Sequence, residues 1–159
     1  MRRASRAIPE EAAKHLLQQS RRGVLAVNGD NGYPFAIPVN YYYDQEHDKI
    51  YFHGAKSGQK VDALKQNDKV CFTAILNSQI IPDKFTAAFE SVVAFGKASF
   101  IDDGDEKLTA LRTFIERFSP DHQEAGERFI HAAYEKTQII RIDVEQMTGK
   151  AYRPGNKWD

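Results

Sequence analysis

The sequence has little cysteine, no excess charge of one sign and no long hydrophobic run. Cys71 is the only cysteine in 159 residues, so a disulfide within one chain is excluded and a reducing compartment is indicated. The 22 basic and 22 acidic side chains give a net charge of +0, so neither nucleic acid nor an anionic membrane is expected as the main partner. No apolar run approaches the roughly 20 residues of a membrane helix, and the basic start Met1–Ser5 lacks the apolar segment of a secretory signal. We therefore expect a cytoplasmic protein.

The composition predicts one folded domain over residues 1–159. Hydrophobic residues make up 42% of the chain, which is enough for a core. Proline, early acids and a later glycine predict an amino-terminal helix over about residues 9–22. A short helix is expected from Ser57–Gly58 to Lys65, and a helical insertion over about residues 103–135 precedes the last strand.

Branched and aromatic residues predict six strands, which we place at 24–27, 35–43, 49–53, 70–76, 89–101 and 137–144. We expect a loop over residues 77–87, an irregular tail from Tyr152, a bulge or unpaired stretch at Pro38 and a bulge at Gly96. The strands cluster as hairpins rather than alternating with helices. This order favours a mainly β protein with peripheral helices (α+β), built on an antiparallel sheet or barrel.

The segment from His53 to Lys60 is the strongest candidate for a binding site. A strand ends here, small residues turn, and a helix begins between Lys56 and Lys60. Free N–H groups at a helix start, two ammonium groups and the Ser57 hydroxyl can together hold a phosphate. The alternative interpretation, an N-cap serine with two solvated lysines, is the better one on this local pattern alone.

Other chemically capable residues give weaker signals. His53 can contact a phosphate, transfer a proton or sit half-buried against backbone, and no neighbouring residue has metal-ligand spacing. The run Tyr41–Tyr43 can stack on a flat ligand or a partner, or pack within a strand. Cys71 has the surroundings of a core residue. We predict no catalytic acid, base or nucleophile in the protein and no metal site.

Taken in order, several segments resemble the flavin-binding split-barrel family related to pyridoxamine 5′-phosphate oxidase, and within it the nitroimidazole-resistance (Nim-type) branch. The matching stretches cover nearly the whole chain and are residues 23–27, 34–41, 50–55 with Gly58 and Lys60, 68–72, 90–98 and 147–151.

The resemblance implies an antiparallel six-stranded split β-barrel and a homodimer with FMN at the subunit interface. In this family the strand–turn–helix segment grips the FMN phosphate, the proline-containing strand runs beside the ring, and the partner subunit contributes a strand start. Carried onto this sequence, the implied cofactor-binding residues are Ile37, Pro38, Val39, Asn40, Phe52, His53, Lys56, Ser57, Gly58, Lys60, Ser91 and Val92.

The resemblance also implies a small FMN-dependent oxidoreductase that reduces a small organic substrate, such as a nitroaromatic compound. The alternatives are a non-catalytic flavin or heme carrier and a deazaflavin-dependent reductase. Two departures from relatives stand out. Pyridoxamine-phosphate oxidases have a longer carboxyl-terminal region with arginine and histidine for the substrate, where this sequence has only Arg153–Pro154. Ile37 occupies the position of a phosphate-facing arginine found in some relatives, so phosphate binding would depend on the lysines.

Overall fold

The computed structural model describes residues 3–29 and 32–154, and its centre is one antiparallel sheet. The described chain forms eight strands, which are β1 (Ala7–Ile8), β2 (Arg22–Asn28), β3 (Pro34–Asn40), β4 (Tyr42–Asp44), β5 (Lys49–Ala55), β6 (Lys69–Ile81), β7 (Thr86–Ile101) and β8 (Thr137–Tyr152). This confirms the mainly β class with helices at the periphery. The predicted turn residues Asp30–Asn31 and the tail from Gly155 lie outside the described residues.

Four helices lie around the sheet within the described chain, namely α1 (Glu10–Gln19), α2 (Gln59–Gln66), α3 (Asp105–Phe118) and α4 (Gln123–Ala133). Helix α1 follows Pro9 and begins with Glu10 and Glu11, whose charges favour a helix amino terminus. It buries Leu16 and Leu17 and packs on β7 and β8. None of the helices in residues 3–29 and 32–154 is long and apolar enough to cross a membrane.

The hydrogen-bonded strand order is β3-β2-β6-β7-β8-β5-β4, with β1 added to β8. Strands β3 and β4 are separated in sequence by Tyr41 alone, yet they lie at opposite ends of this order. Strand β3 also contacts β5, so the sheet curls towards a barrel that stays open between β3 and β4. This gap is the split of the barrel.

The prediction of one strand over residues 35–43 was wrong, and this accounts for one of the two additional strands. The chain leaves β3 at Tyr41, whose backbone N–H donates to the Arg21 carbonyl at 3.1 Å, and then enters β4. The expected bulge at Pro38 was also wrong, because Pro38 pairs in regular register with Val24. Strand β3 is an edge strand, where the missing N–H of a proline can face away from the ladder.

The loop predicted over residues 77–87 is instead an extension of the hairpin formed by β6 and β7. The two strands continue past an irregularity between Leu76 and Gln79 and join through a 3₁₀ turn at Pro82–Lys84. Polar residues at 77–79 hide the alternation that would reveal a strand. Phe85 ends the turn with a left-handed φ of 48° and a side chain that is 97% exposed.

The bulge predicted at Gly96 is confirmed, because the pairing of β7 with β8 shifts between Phe95 and Gly96. A β-carbon at Gly96 would lie 2.2 Å from the Asp143 carbonyl oxygen, so the close approach of the two strands requires glycine. The barrel interior is filled by large apolar side chains from every long strand, including Leu25, Phe52, Phe72, Val92 and Ile140.

Candidate functional site

The segment that joins β5 to α2 has an open turn at the start of the helix. Gly58, and not Ser57, is the N-cap residue, and its carbonyl accepts hydrogen bonds from the N–H groups of Val61 (2.8 Å) and Asp62 (3.1 Å). No side chain caps the helix, so the interpretation of Ser57 as an N-cap serine was wrong. The exposed Ser57 hydroxyl and the first N–H groups of α2 therefore remain accessible to an anion.

Lys60 extends from the first turn of α2 back over the end of β5. Its Nζ lies 5.4 Å from the centre of the Phe52 ring, and a β-carbon built on Gly54 would stand 2.9 Å from Nζ. Burial lowers the pKa of this half-buried ammonium. Within residues 3–29 and 32–154 no carboxylate or hydrogen-bond acceptor pairs with it. A partly desolvated cation without a counter-charge is well suited to bind an anion.

Lys56 lies on the other side of the turn and is exposed. Its charge contributes to lowering the pKa of Asp103, after hydrogen bonds from Tyr134 and Gly104, and that of Lys107, after burial. Lys56 is therefore close to the start of α3, whereas Lys60 lies over β5. The two lysines approach the turn from different directions.

His53 points from β5 towards α3, where its ring meets Phe114 edge-on at a centroid distance of 4.9 Å. Partial burial of the ring, and secondly the charge of Lys60, lower the pKa of His53. The neutral imidazole is therefore favoured around neutral pH. A neutral ring beside Lys60 can donate or accept a hydrogen bond without adding a second charge.

The predicted ring-contacting residues of β3 divide between the two faces of the strand. Ile37 and Val39 are half-buried and pack on the core, whereas Pro38 and Asn40 are exposed on the opposite face. Register pairs Pro38 with Val24, and residues directly paired across two strands share a face. Pro38 and Asn40 therefore belong to the outward face of the sheet.

That outward face, which we call the outer sheet face, continues across four more strands. Following the register from Val24 and Ala26, it comprises Cys71, Thr73, Ile75, Ser91, Val93, Phe95, Gln146, Thr148 and Lys150. Apolar side chains dominate its centre. Ile75 is 66% exposed and Phe95 46% exposed.

Ser91 lies on this outer sheet face, but Val92 and Phe52 do not contribute side chains to any surface. Both are 0% exposed in the core. With side chains buried in this way, the predicted contacts of these two residues with a cofactor would be made by backbone atoms. Ser91 is half-buried, and its hydroxyl is 3.5 Å from the Lys150 carbonyl, at the limit of a hydrogen bond.

The three consecutive tyrosines are structural. Tyr41 is fully buried and donates to the Leu17 carbonyl at 2.7 Å, while Tyr42 stacks on Tyr51 at 4.9 Å. Tyr43 donates to Asp48. All three have exposures under 9%, so of the two interpretations the packing one applies.

Sequence reasoning missed two features of this region. The first is Gly54, whose lack of a side chain leaves room for Lys60. The second is the buried carboxylate of Glu90, which accepts hydrogen bonds from Arg153 and Asn77. Arg153 is therefore engaged within its own chain. A charged residue in an apolar strand was the available signal for Glu90. No group of three metal-ligating side chains converges in the described part of the chain.

An antiparallel sheet curled into an open barrel, with a cationic turn at the end of one strand, defines a split-barrel protein. A sequence model described as pyridoxamine 5′-phosphate oxidase matches residues 9–151. The chain belongs to this family. No curated protein matches the sequence.

Solved structures share the fold. A candidate 5-nitroimidazole antibiotic resistance protein from Bacteroides thetaiotaomicron is 24% identical, with a TM-score of 0.73 over 91% of this chain and 86% of that one. A conserved hypothetical protein from Mycobacterium tuberculosis is 18% identical, with a TM-score of 0.80 over 95% and 89%. An FAD-binding protein from Mycobacterium smegmatis is 20% identical, with a TM-score of 0.67 over 94% and 99%. The fold is thus one that flavin-binding proteins use.

Proposed function

We propose that this protein binds FMN and that Lys60 holds the FMN phosphate. The supporting observation is the partly buried Lys60 ammonium, which has no counter-charge in residues 3–29 and 32–154 and lies beside the open start of α2. A phosphate there would also meet Ser57 and the helix N–H groups. Ile37 itself carries no charge, so in this proposal the lysines of the turn, and Lys60 first, supply the charge that pairs with the phosphate.

The ring of the flavin would lie on the β3 side of the outer sheet face. Pro38 and Asn40 present an exposed edge strand there, with backbone groups that no neighbouring strand uses. An edge strand of this kind can hydrogen-bond a flat heterocycle. A bound flavin supplies the redox chemistry, while the protein positions the ring and limits its contact with water.

The second part of the proposal is a homodimer formed through the outer sheet face. In one subunit Ser91 is separated from Pro38 by three strand spacings, about 14 Å. We therefore assign the Ser91 contact with the flavin to a second copy of the chain. The exposed Ile75 and Phe95 form the apolar centre of this face, and burying them against an identical face stabilises the dimer.

The third part is an oxidoreductase activity that transfers electrons from a reduced nicotinamide to a small organic acceptor. The structural similarity to a candidate nitroimidazole resistance protein supports a nitroaromatic acceptor. In the described chain no side chain of the site is arranged as a catalytic pair, so the rate depends on how the flavin is placed. We expect the protein to oxidise reduced nicotinamide only when FMN is present. A nitroimidazole should accelerate this oxidation. Bound flavin without turnover would indicate a carrier.

The phosphate assignment is tested by comparing FMN with riboflavin, which has the same ring and no phosphate. Replacing Lys60 by glutamine (Lys60→Gln) should weaken FMN binding by about 10- to 100-fold and leave riboflavin affinity unchanged, because one charge-assisted hydrogen bond is lost. Lys65→Gln, on the exposed last turn of the same helix, is the matched control. Fluorescence titration measures both affinities. Equal FMN affinity in wild type and Lys60→Gln would refute the assignment.

A further inference from the structure

A cavity of about 320 Å³ lies between the amino-terminal segment, α1 and the end of β8, away from the turn at Lys60. We call it the terminal cavity, lined among others by Arg6, Ile8, Ala12, Leu16, Tyr152 and Arg153. Pairing of β1 with β8 through Ala7–Lys150 and Ile8–Gly149 holds its wall in place. None of the residues assigned to the flavin lines it.

The walls of the terminal cavity are mainly apolar. Ile8, Ala12 and Leu16 form one side, and the Tyr152 ring forms another. A volume near 300 Å³ is at the small end of the range for ligand cavities. The cavity therefore suits the apolar body of a small molecule rather than a nucleotide.

The rim of the terminal cavity carries positively charged side chains, and one of them has no acidic partner among the described residues. The Arg6 guanidinium stacks on Tyr152, with Cζ 3.8 Å from the ring centre. Among residues 3–29 and 32–154 no carboxylate or hydrogen-bond acceptor pairs with the Arg6 side chain. Arg153, by contrast, is held by Glu90, and His15 by Gln19 at 2.9 Å. Glu10 and Glu11 both form ion pairs with Lys14 rather than lining the cavity.

One free guanidinium above apolar walls matches a particular ligand chemistry. The planar fork of arginine pairs best with a carboxylate or phosphate, and stacking on Tyr152 fixes its orientation. Among the described residues that line the cavity, Arg6 is the one arginine without an acidic partner, which favours a monoanion. We propose that the terminal cavity binds a small carboxylic acid with an apolar body, whose carboxylate pairs with Arg6 and whose body lies against Ile8, Ala12 and Leu16.

The test uses benzoate as the probe and benzyl alcohol as its uncharged counterpart, with the full chain in the presence and absence of FMN. Calorimetry should show one benzoate per chain and binding of benzyl alcohol at least about tenfold weaker, because the charged pair is missing. Resonances of Ala7, Ala12 and Ala151 should shift on benzoate addition. Benzoate affinity should be the same with and without FMN.

Three variants test whether benzoate binds in the terminal cavity. Arg6→Gln should weaken benzoate binding by about tenfold or more, whereas Arg3→Gln, which removes the same charge from an exposed neighbour, should not. Ala12→Phe should abolish binding by filling the cavity, and a thermal unfolding curve checks its fold.

Three results would overturn the proposal. They are no benzoate binding to the wild type, equal losses in Arg6→Gln and Arg3→Gln, and displacement of FMN by benzoate. The last would place the probe in the flavin site.

Discussion

The Lys60 ammonium lies directly over Gly54, at the point where a β-carbon would be 2.9 Å from Nζ. Gly54→Ala should therefore push the end of the lysine side chain aside. Because that end is flexible, the free energy of unfolding should change by less than about 1 kcal/mol. FMN affinity should fall by about three- to tenfold with riboflavin affinity unchanged, since the phosphate loses its aligned cation.

A matched glycine provides the control for this prediction. At Gly96 the added β-carbon would meet a backbone oxygen, Asp143 O, at 2.2 Å, and the backbone cannot move aside cheaply. Gly96→Ala should lower the free energy of unfolding by about 1–3 kcal/mol. Chemical denaturation measures both variants. Unchanged FMN affinity in Gly54→Ala would show that the lysine does not act from this position.

A charge at the centre of the outer sheet face should separate the subunits. Ile75→Asp is expected to convert the proposed dimer to a monomer and to release the proposed flavin, because an aspartate would be buried unpaired in the interface. Phe129→Asp on α4 is the control, since Phe129 is 67% exposed, close to the 66% of Ile75, and lies outside this face. Light scattering gives the mass. A dimer that persists in Ile75→Asp would exclude this face as the interface.

The pKa of His53 reports on the charge of Lys60. In wild type the pKa of His53 should lie below the ordinary value of 6.5. Burial of the ring is the larger cause and the charge of Lys60 the smaller one. This pKa should rise in Lys60→Gln and stay unchanged in Lys65→Gln. The depressed pKa means that the unfolded chain binds more protons near pH 6, so this group lowers stability as the pH falls through 6.5. An NMR titration of the ring measures the shift, and identical curves in wild type and Lys60→Gln would contradict the proximity.

Helix α3 is fixed to the sheet by the carboxylate of Glu106. It accepts hydrogen bonds from Tyr51 (2.9 Å) and Arg141 (2.9 Å). Burial alone would raise its pKa, but these two donors outweigh burial and lower the pKa below 4.5. The stabilisation is therefore complete above pH 4.5 and is lost as the pH falls through the lowered value.

Glu106→Gln removes this carboxylate and should reduce the free energy of unfolding at pH 7 by about 1–2 kcal/mol. The free energy of unfolding should also fall less steeply with decreasing pH in this variant than in wild type. Glu116→Gln, an exposed site on the same helix, should change neither. Urea denaturation across a pH series measures both effects. If stability falls as steeply below pH 4.5 in Glu106→Gln as in wild type, other carboxylates are responsible for the loss of stability in acid.

The parts of the fold that follow local patterns could be predicted from the sequence, and those that depend on distant partners could not. The bulge at Gly96 and the start of α1 after Pro9 carry their own residue signals. The break at Tyr41 has no such signal, because there the Tyr41 N–H pairs with the carbonyl of Arg21, a residue distant in sequence that lies just before β2. The polar residues 77–79 likewise form part of a strand only because β7 pairs alongside them.

The candidate site shows the same division. The turn from Lys56 to Lys60 was recognisable from strand, small residues and helix in succession. The two lysines of this turn lie in different places, with Lys60 over β5 and Lys56 close to α3. This difference depends on how α3 packs, which the local sequence does not encode. Burial of Val92 follows from alternation in β7, whose odd-numbered residues Ser91, Val93 and Phe95 face outwards. This alternation is visible in the sequence, and it also predicts the outer sheet face.

We propose a phosphate-bearing flavin held between two copies of the chain. The most direct test of this proposal is size-exclusion chromatography with light scattering of the FMN-loaded protein, recorded at the visible flavin band. We predict that the flavin elutes with a species of twice the 18.1 kDa chain mass, at one flavin per chain. A monomer that retains stoichiometric FMN, or a dimer that elutes without it, would contradict the account.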